Sequence, residues 1–115
     1  MAYPLVHIAN STSYAASGTV SYASVFCSND NYNVDANGQW TASSRGVCLV
    51  TEVSAKLNVD GHWVNASAYT SSGTSYSQFA IIQTGPNSFG VTRVTSMVDS
   101  VDVGELLPEP TALQK

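Results

Sequence analysis

Six ring-bearing residues, Tyr32, Trp40, His62, Trp63, Tyr69 and Tyr76, lie close in sequence to Asn31, Asn65, Ser72 and Thr74. Aromatic faces beside amide and hydroxyl groups hold sugar rings by stacking and hydrogen bonding, and Trp and Tyr also settle at membrane interfaces. The same rings serve as core when they sit beside a hairpin. Read as a strand, His62 to Tyr69 puts Trp63, Asn65, Ser67 and Tyr69 on one face, a polar company that suits an exposed binding surface better than a core. Trp63, Tyr69, Asn65, Trp40 and Tyr76 are therefore the predicted ligand-binding set.

Other chemistries find less support. Serines abound and His7 and His62 are available, but the G-x-S-x-G elbow of a nucleophilic serine is absent. Cys27 has no local signature of a catalytic thiol. Cys27, Cys48, His7 and His62 form a nominal zinc set without the close spacings that zinc sites use. The run Asn33-Val34-Asp35-Ala36-Asn37-Gly38 resembles the start of a calcium loop, yet its twelfth position is Ser44 where a bidentate Glu is needed. The expectation is a protein that is not an enzyme and uses no cofactor or metal.

The 115-residue chain is long enough for one core and too short for two. Only 10% of it is charged, and Ser, Thr, Asn, Gly and Tyr fill the gap, giving a neutral, hydrogen-bonding surface. Arg45, Lys56, Arg93 and Lys115 are scattered through a chain of net charge −4, which argues against nucleic acid as a partner. No apolar run reaches the ~20 residues of a membrane-spanning helix. The start, MAYPLVHIANSTS, has neither the basic nor the long apolar region of a secretory signal, so the chain is expected to be mature, leaderless or exported by another route, and the composition rich in Ser, Thr, Asn and Tyr gives the expectation of extracellular action. Cys27 and Cys48 allow one bridge, or else two small buried hydrophobes on neighbouring strands. The sequons Asn10-Ser11-Thr12 and Asn65-Ala66-Ser67 arise readily by chance in such a composition.

Short alternating segments separated by turn signals must position these residues. Asn37-Gly38 and Asp60-Gly61 each suit a type I′ hairpin turn, and each is followed by a Trp. Leu5–Asn10 and Thr19–Phe26 read as paired strands, the second with Val20, Tyr22, Ser24 and Phe26 on one face. The longest alternation, Val47, Leu49, Thr51, Val53, Ala55, Leu57 and Val59, predicts a central strand with that face in the core and Cys48 on the other. After Ser71-Ser72-Gly73 and Gly85-Pro86-Asn87, two more strands run over 74–83 and 89–95. This pattern predicts an all-β, antiparallel sandwich or small barrel of about seven or eight strands over 1–98. Four of the eight acidic residues follow position 98, with Pro108 and Pro110, so 99–115 reads as an acidic C-terminal arm carrying Leu106, Leu107 and Leu113.

The stretch Trp40-Thr41-Ala42-Ser43-Ser44-Arg45-Gly46-Val47-Cys48-Leu49, preceded by a strand ending in Asn-Ser and a turn-rich polar segment, resembles the small bacterial insecticidal proteins active on beetle larvae. More distantly, the layout is similar to the cytolytic β-sandwiches of the aegerolysin and actinoporin types. The likeness covers about the first half of the chain, and SSGTSYSQFAIIQTG and the acidic arm have no counterpart in it. The chain also departs from those cytolysins in having no N-terminal amphipathic pattern and no dense aromatic cluster. What the resemblance implies is a non-enzymatic, toxin-like protein whose target is a cell-surface glycan or lipid headgroup, acting alone or as a homo-oligomer. The competing expectation is a structural protein that self-assembles through β edges and the arm.

Overall fold

The computed structural model describes residues 2–94, so the acidic arm lies outside the described residues. Ten strands form: β1 (His7–Asn10), β2 (Ala16–Tyr22), β3 (Asp30–Val34), β4 (Gln39–Thr41), β5 (Val50–Val53), β6 (Lys56–Val59), β7 (His62–Asn65), β8 (Tyr69–Thr74), β9 (Gln78–Gly85) and β10 (Ser88–Arg93). One sheet has the order β10-β9-β1-β4, and the other is built around β2, which pairs with β3, β5 and β6, with β7 and β8 outside β6 and β5. The fold is all-β and sandwich-like, in two sheets and not a closed barrel, with ten strands where seven or eight were expected. Pairing of the named strands is antiparallel except between β1 and β9, which run parallel. Ile8, Phe79, Ile81, Phe89 and Val91 from the first sheet meet Val20, Tyr32, Val34, Val50, Val53 and Leu57 from the second in one buried core.

Several local expectations give way to this topology. Leu5–Asn10 and Thr19–Phe26 are not partners, since β1 and β2 lie in different sheets. β2 ends at Tyr22, and Val25 and Phe26 stand in the loop beyond it, each 94% exposed. Asp60 and Gly61 both take positive φ, 52° and 87°, and Val59 pairs with His62 across them, as a type I′ hairpin requires. Of Asn37 and Gly38, only Asn37 has a positive φ, 59°, and the turn from Asp35 to Gly38 carries the chain from β3 in one sheet to β4 in the other. Asn10 explains why. Its buried amide donates to the carbonyls of Tyr14 (2.7 Å) and Asp35 (3.1 Å), and its oxygen accepts from Thr12, so two loops are tied to one side chain. That burial also removes Asn10 as a glycan acceptor.

The long strand expected from Val47 to Val59 is two. A register shift between Val50 and Glu52 changes the phase of the alternation, so Val50 and Val53 are buried while Val47 is 66% exposed. β5 and β6 then both follow the same edge of β2, separated by a jog at Ser54-Ala55. Gly18 lies opposite the jog. A Cβ there would overlap the Ser54 carbonyl oxygen and come within 2.5 Å of the Tyr32 hydroxyl, which donates to that same oxygen at 2.6 Å. Burial raises the Tyr32 phenol well above its ordinary range, so it keeps its proton and remains a donor. The expected turn at Ser71-Ser72-Gly73 is instead part of β8, paired with β5, because Ser71 Oγ donates to Val50 O at 2.7 Å and accepts from Gly73 N.

Candidate functional site

The outward face of the β2-centred sheet carries the candidate site. Side chains alternate across a strand, so with Leu57 and Val64 turned inward, Lys56, Asn58, Trp63 and Asn65 point out. Pairing aligns Asn33, Ser17, Lys56 and Asn65 in a row across four strands, from β3 through β2 and β6 to β7. Ser17 donates to Asn33 Oδ1, and two residues on, on the same face, Thr19 donates to Asn31 Oδ1 at 2.9 Å. Trp63 is 52% exposed, and the Lys56 ammonium stands over its ring, 4.7 Å from the centroid, which orients the indole and places a donor beside it. Between these groups runs a shallow groove of about 200 Å³, lined by Ser17, Thr19, Ser54, Lys56 and Asn65. The arrangement can stack a flat apolar face on Trp63 and bond hydroxyl groups to amides and the ammonium. It holds no nucleophile paired with a base.

Of the predicted set, the structure brings Trp63 and Asn65 together on this face and places the others elsewhere. β7 ends at Asn65, and Ser67 turns away to bond β10, donating to Phe89 O and accepting from Val91 N at 2.8 Å each. Tyr69 therefore starts β8 with its ring against Phe79, centroids 5.0 Å apart. Trp40 packs on Tyr32 at 5.4 Å as part of the core, and Tyr76 lies under the Arg93 guanidinium at 3.8 Å. Lys56, Ser17, Thr19 and Asn33 were missed as site residues, and Asn31 stood beside the rings but outside the predicted binding set. The alternation of Asn31 and Asn33 about buried Tyr32 was a usable signal for an outward polar pair, whereas the alignment of Ser17 with Lys56 follows from a long-range pairing.

A second region centres on the disulfide. Cys27 and Cys48, 21 positions apart in sequence, are bonded with their Cα atoms 6.1 Å apart, and both lie in loops. Closing that loop stabilises the fold by about 3 kcal/mol. Arg45, in the middle of the Trp40–Leu49 stretch, is buried. Its guanidinium donates to the carbonyls of Cys48 (3.0 Å), Pro4 (3.0 Å) and Thr74 (3.1 Å) and lies 5.3 Å from the Tyr3 ring centroid. Next to it, Tyr22 donates to Asp30 Oδ2 at 2.7 Å; burial first, and then this bond and the carboxylate charge, raise its phenol well above the ordinary range.

With the cysteines bonded to each other, neither is free as a nucleophile or ligand, and no three His, Cys, Asp or Glu side chains among the described residues come together to hold a metal. No helix among the described residues is long and apolar enough to cross a membrane. No family model, curated protein or solved structure matches the chain.

Proposed function

We propose that this chain is a non-enzymatic, toxin-like protein that acts outside the cell and recognises a cell-surface glycan through the outward face of β6, β7, β2 and β3. The observation that carries this reading is Trp63, a half-exposed indole on a regular strand with Asn65, Lys56 and Asn58 around it and a row of Ser and Asn beside it. A large apolar ring left on a polar face, with amides, hydroxyls and one ammonium around it, matches a sugar ring, which has an apolar face and a hydroxyl edge. The disulfide supports an oxidising environment. The likeness of the Trp40–Leu49 stretch to insecticidal proteins points to the same class of target.

The test is a glycan-array screen of the intact chain, followed by calorimetric titration of the best hit. Binding is expected, with Trp63→Ala weakening it at least about tenfold, the scale of one lost stacking contact. An array without a hit, or a Trp63→Ala protein that binds as well as the parent, removes this site.

A further inference from the structure

We infer that the disulfide-braced end of the protein is a second contact site, a tip that enters the interface of a zwitterionic lipid bilayer. The site stands apart from the glycan reading and shares no residue with it. Val25 and Phe26 are each 94% exposed and Val47 is 66% exposed. They come from two loops distant in sequence, and each lies within two residues of a bridged cysteine, so the Cys27–Cys48 bond holds the two loops that carry them side by side. Scattered apolar residues are ordinary on a surface; two cross-linked loops that each expose large apolar side chains are not.

Charge selects the occupant. Of the tip loops, 23–29 and 43–49, only Arg45 bears a charge, and it is buried with its donors on backbone carbonyls. No exposed cation at the tip therefore seeks an anionic lipid, the net charge is −4, and the Asp30 carboxylate lines a pocket of about 270 Å³ beside Phe26 that would repel an anionic headgroup. The tip backbone is also partly satisfied from within. Phe26 N–H donates to Ser24 Oγ (3.1 Å), Cys27 N–H to Ser24 O (3.0 Å), Cys48 N–H to Arg45 O (3.3 Å) and Ala23 N–H to Leu49 O (2.9 Å). Each such bond lowers the penalty of leaving water. A second copy of the chain fits less well, because three side chains of roughly 100–200 Å² each fall short of the ~800 Å² per partner that a stable interface buries.

The experiment is cosedimentation of the oxidised, intact protein with vesicles of pure phosphatidylcholine, which carry no sugar, so that its outcome is independent of the glycan screen. The protein is expected to pellet with the vesicles. Val25→Ser with Phe26→Ser, at positions too exposed to disturb the core, should weaken binding at least about tenfold with an unchanged melting temperature. Val47→Ser should weaken it less, and Trp63→Ala should leave it unchanged. Failure of the parent to bind, binding only when phosphatidylserine is added, full binding by the double variant, or a dimer in sedimentation velocity that the double variant abolishes would each overturn the proposal.

Discussion

The disulfide end and the β6–β7 hairpin belong to the same sheet and are built by opposite means. The hairpin is regular: four cross-strand pairs and a two-residue turn fix its backbone, with outward Asn58 adding one bond as its Oδ1 accepts from Gly61 N–H at 3.0 Å. The disulfide end is irregular, and side chains do there what a ladder does elsewhere. Arg45 gathers three carbonyls from three parts of the chain, and the Cys27–Cys48 bond joins the loops above it. A face meant to meet a ligand can vary its side chains freely when the backbone holds itself. A loop end can project apolar residues only if buried groups beneath it are fixed.

The largest expected effect is at the point where the two regions diverge. Gly18 faces the jog between β5, which leads toward the disulfide, and β6, which leads into the hairpin. Gly18→Val forces the Ser54 carbonyl and the Tyr32 hydroxyl apart, with a loss above about 4 kcal/mol and failure to fold cooperatively, read by denaturant unfolding. A mild loss would show that the jog is not needed to join the regions. Arg45→Met comes next. It fills the volume but leaves the carbonyls of Cys48, Pro4 and Thr74 without their donor, and a loss of about 3 kcal/mol is expected. Faster hydrogen exchange should follow at Tyr3 and Cys48 but not at His62–Asn65. Equal acceleration in the hairpin would erase the distinction.

The sequence displayed the hairpin more clearly than the disulfide end, and the reason is locality. Asp60-Gly61 states its own φ preferences, and the alternation on either side is short and unbroken, so turn, register and the outward position of Trp63 and Asn65 were legible. Val47 to Val59 has an equally clean alternation, but the bulge after Val50 shifts its phase and the jog at Ser54-Ala55 divides it into two strands while Val53, Ala55 and Leu57 stay buried, and both depend on contacts with β2 and β8 that no local window contains. Asn37-Gly38 fails for a related reason, since Asn10, far away in sequence, holds that turn. Tyr69 was misplaced because Ser67 leaves its strand to bridge Gly90. The apolar tip was not legible because the alternation carries Phe26 and Val47 within strands, Val47 on a face turned to the core, whereas β2 ends at Tyr22 and β5 starts only at Val50.

Gly61→Val sharpens the comparison at smaller scale. At φ 87° a β-branched residue is strained, while a Cβ built there meets nothing within 4 Å, so the penalty is conformational alone, about 1–2 kcal/mol. Because the turn sets how Trp63 stands opposite Asn58, glycan affinity should fall along with stability, whereas vesicle binding by the distant tip should not. Loss of vesicle binding in this variant would mean that the two regions are coupled.

Trp63→Ala is expected to have the smallest effect on stability and the largest on recognition. The indole is half in water with the Lys56 ammonium 4.7 Å from its centroid, and an exposed contact of that kind contributes about 0.5–1 kcal/mol. Core aromatics such as Phe79 would lose roughly 3–5 kcal/mol on truncation, so a melting curve separates the two cases without ambiguity. If Trp63→Ala behaves like a core variant, the ring supports the β6–β7 hairpin and the outward face is not free to recognise anything. If stability holds, the hairpin carries Trp63 as a group it does not need for folding. A large apolar ring retained in water on a face of Ser, Asn and Lys then has its use in what it binds.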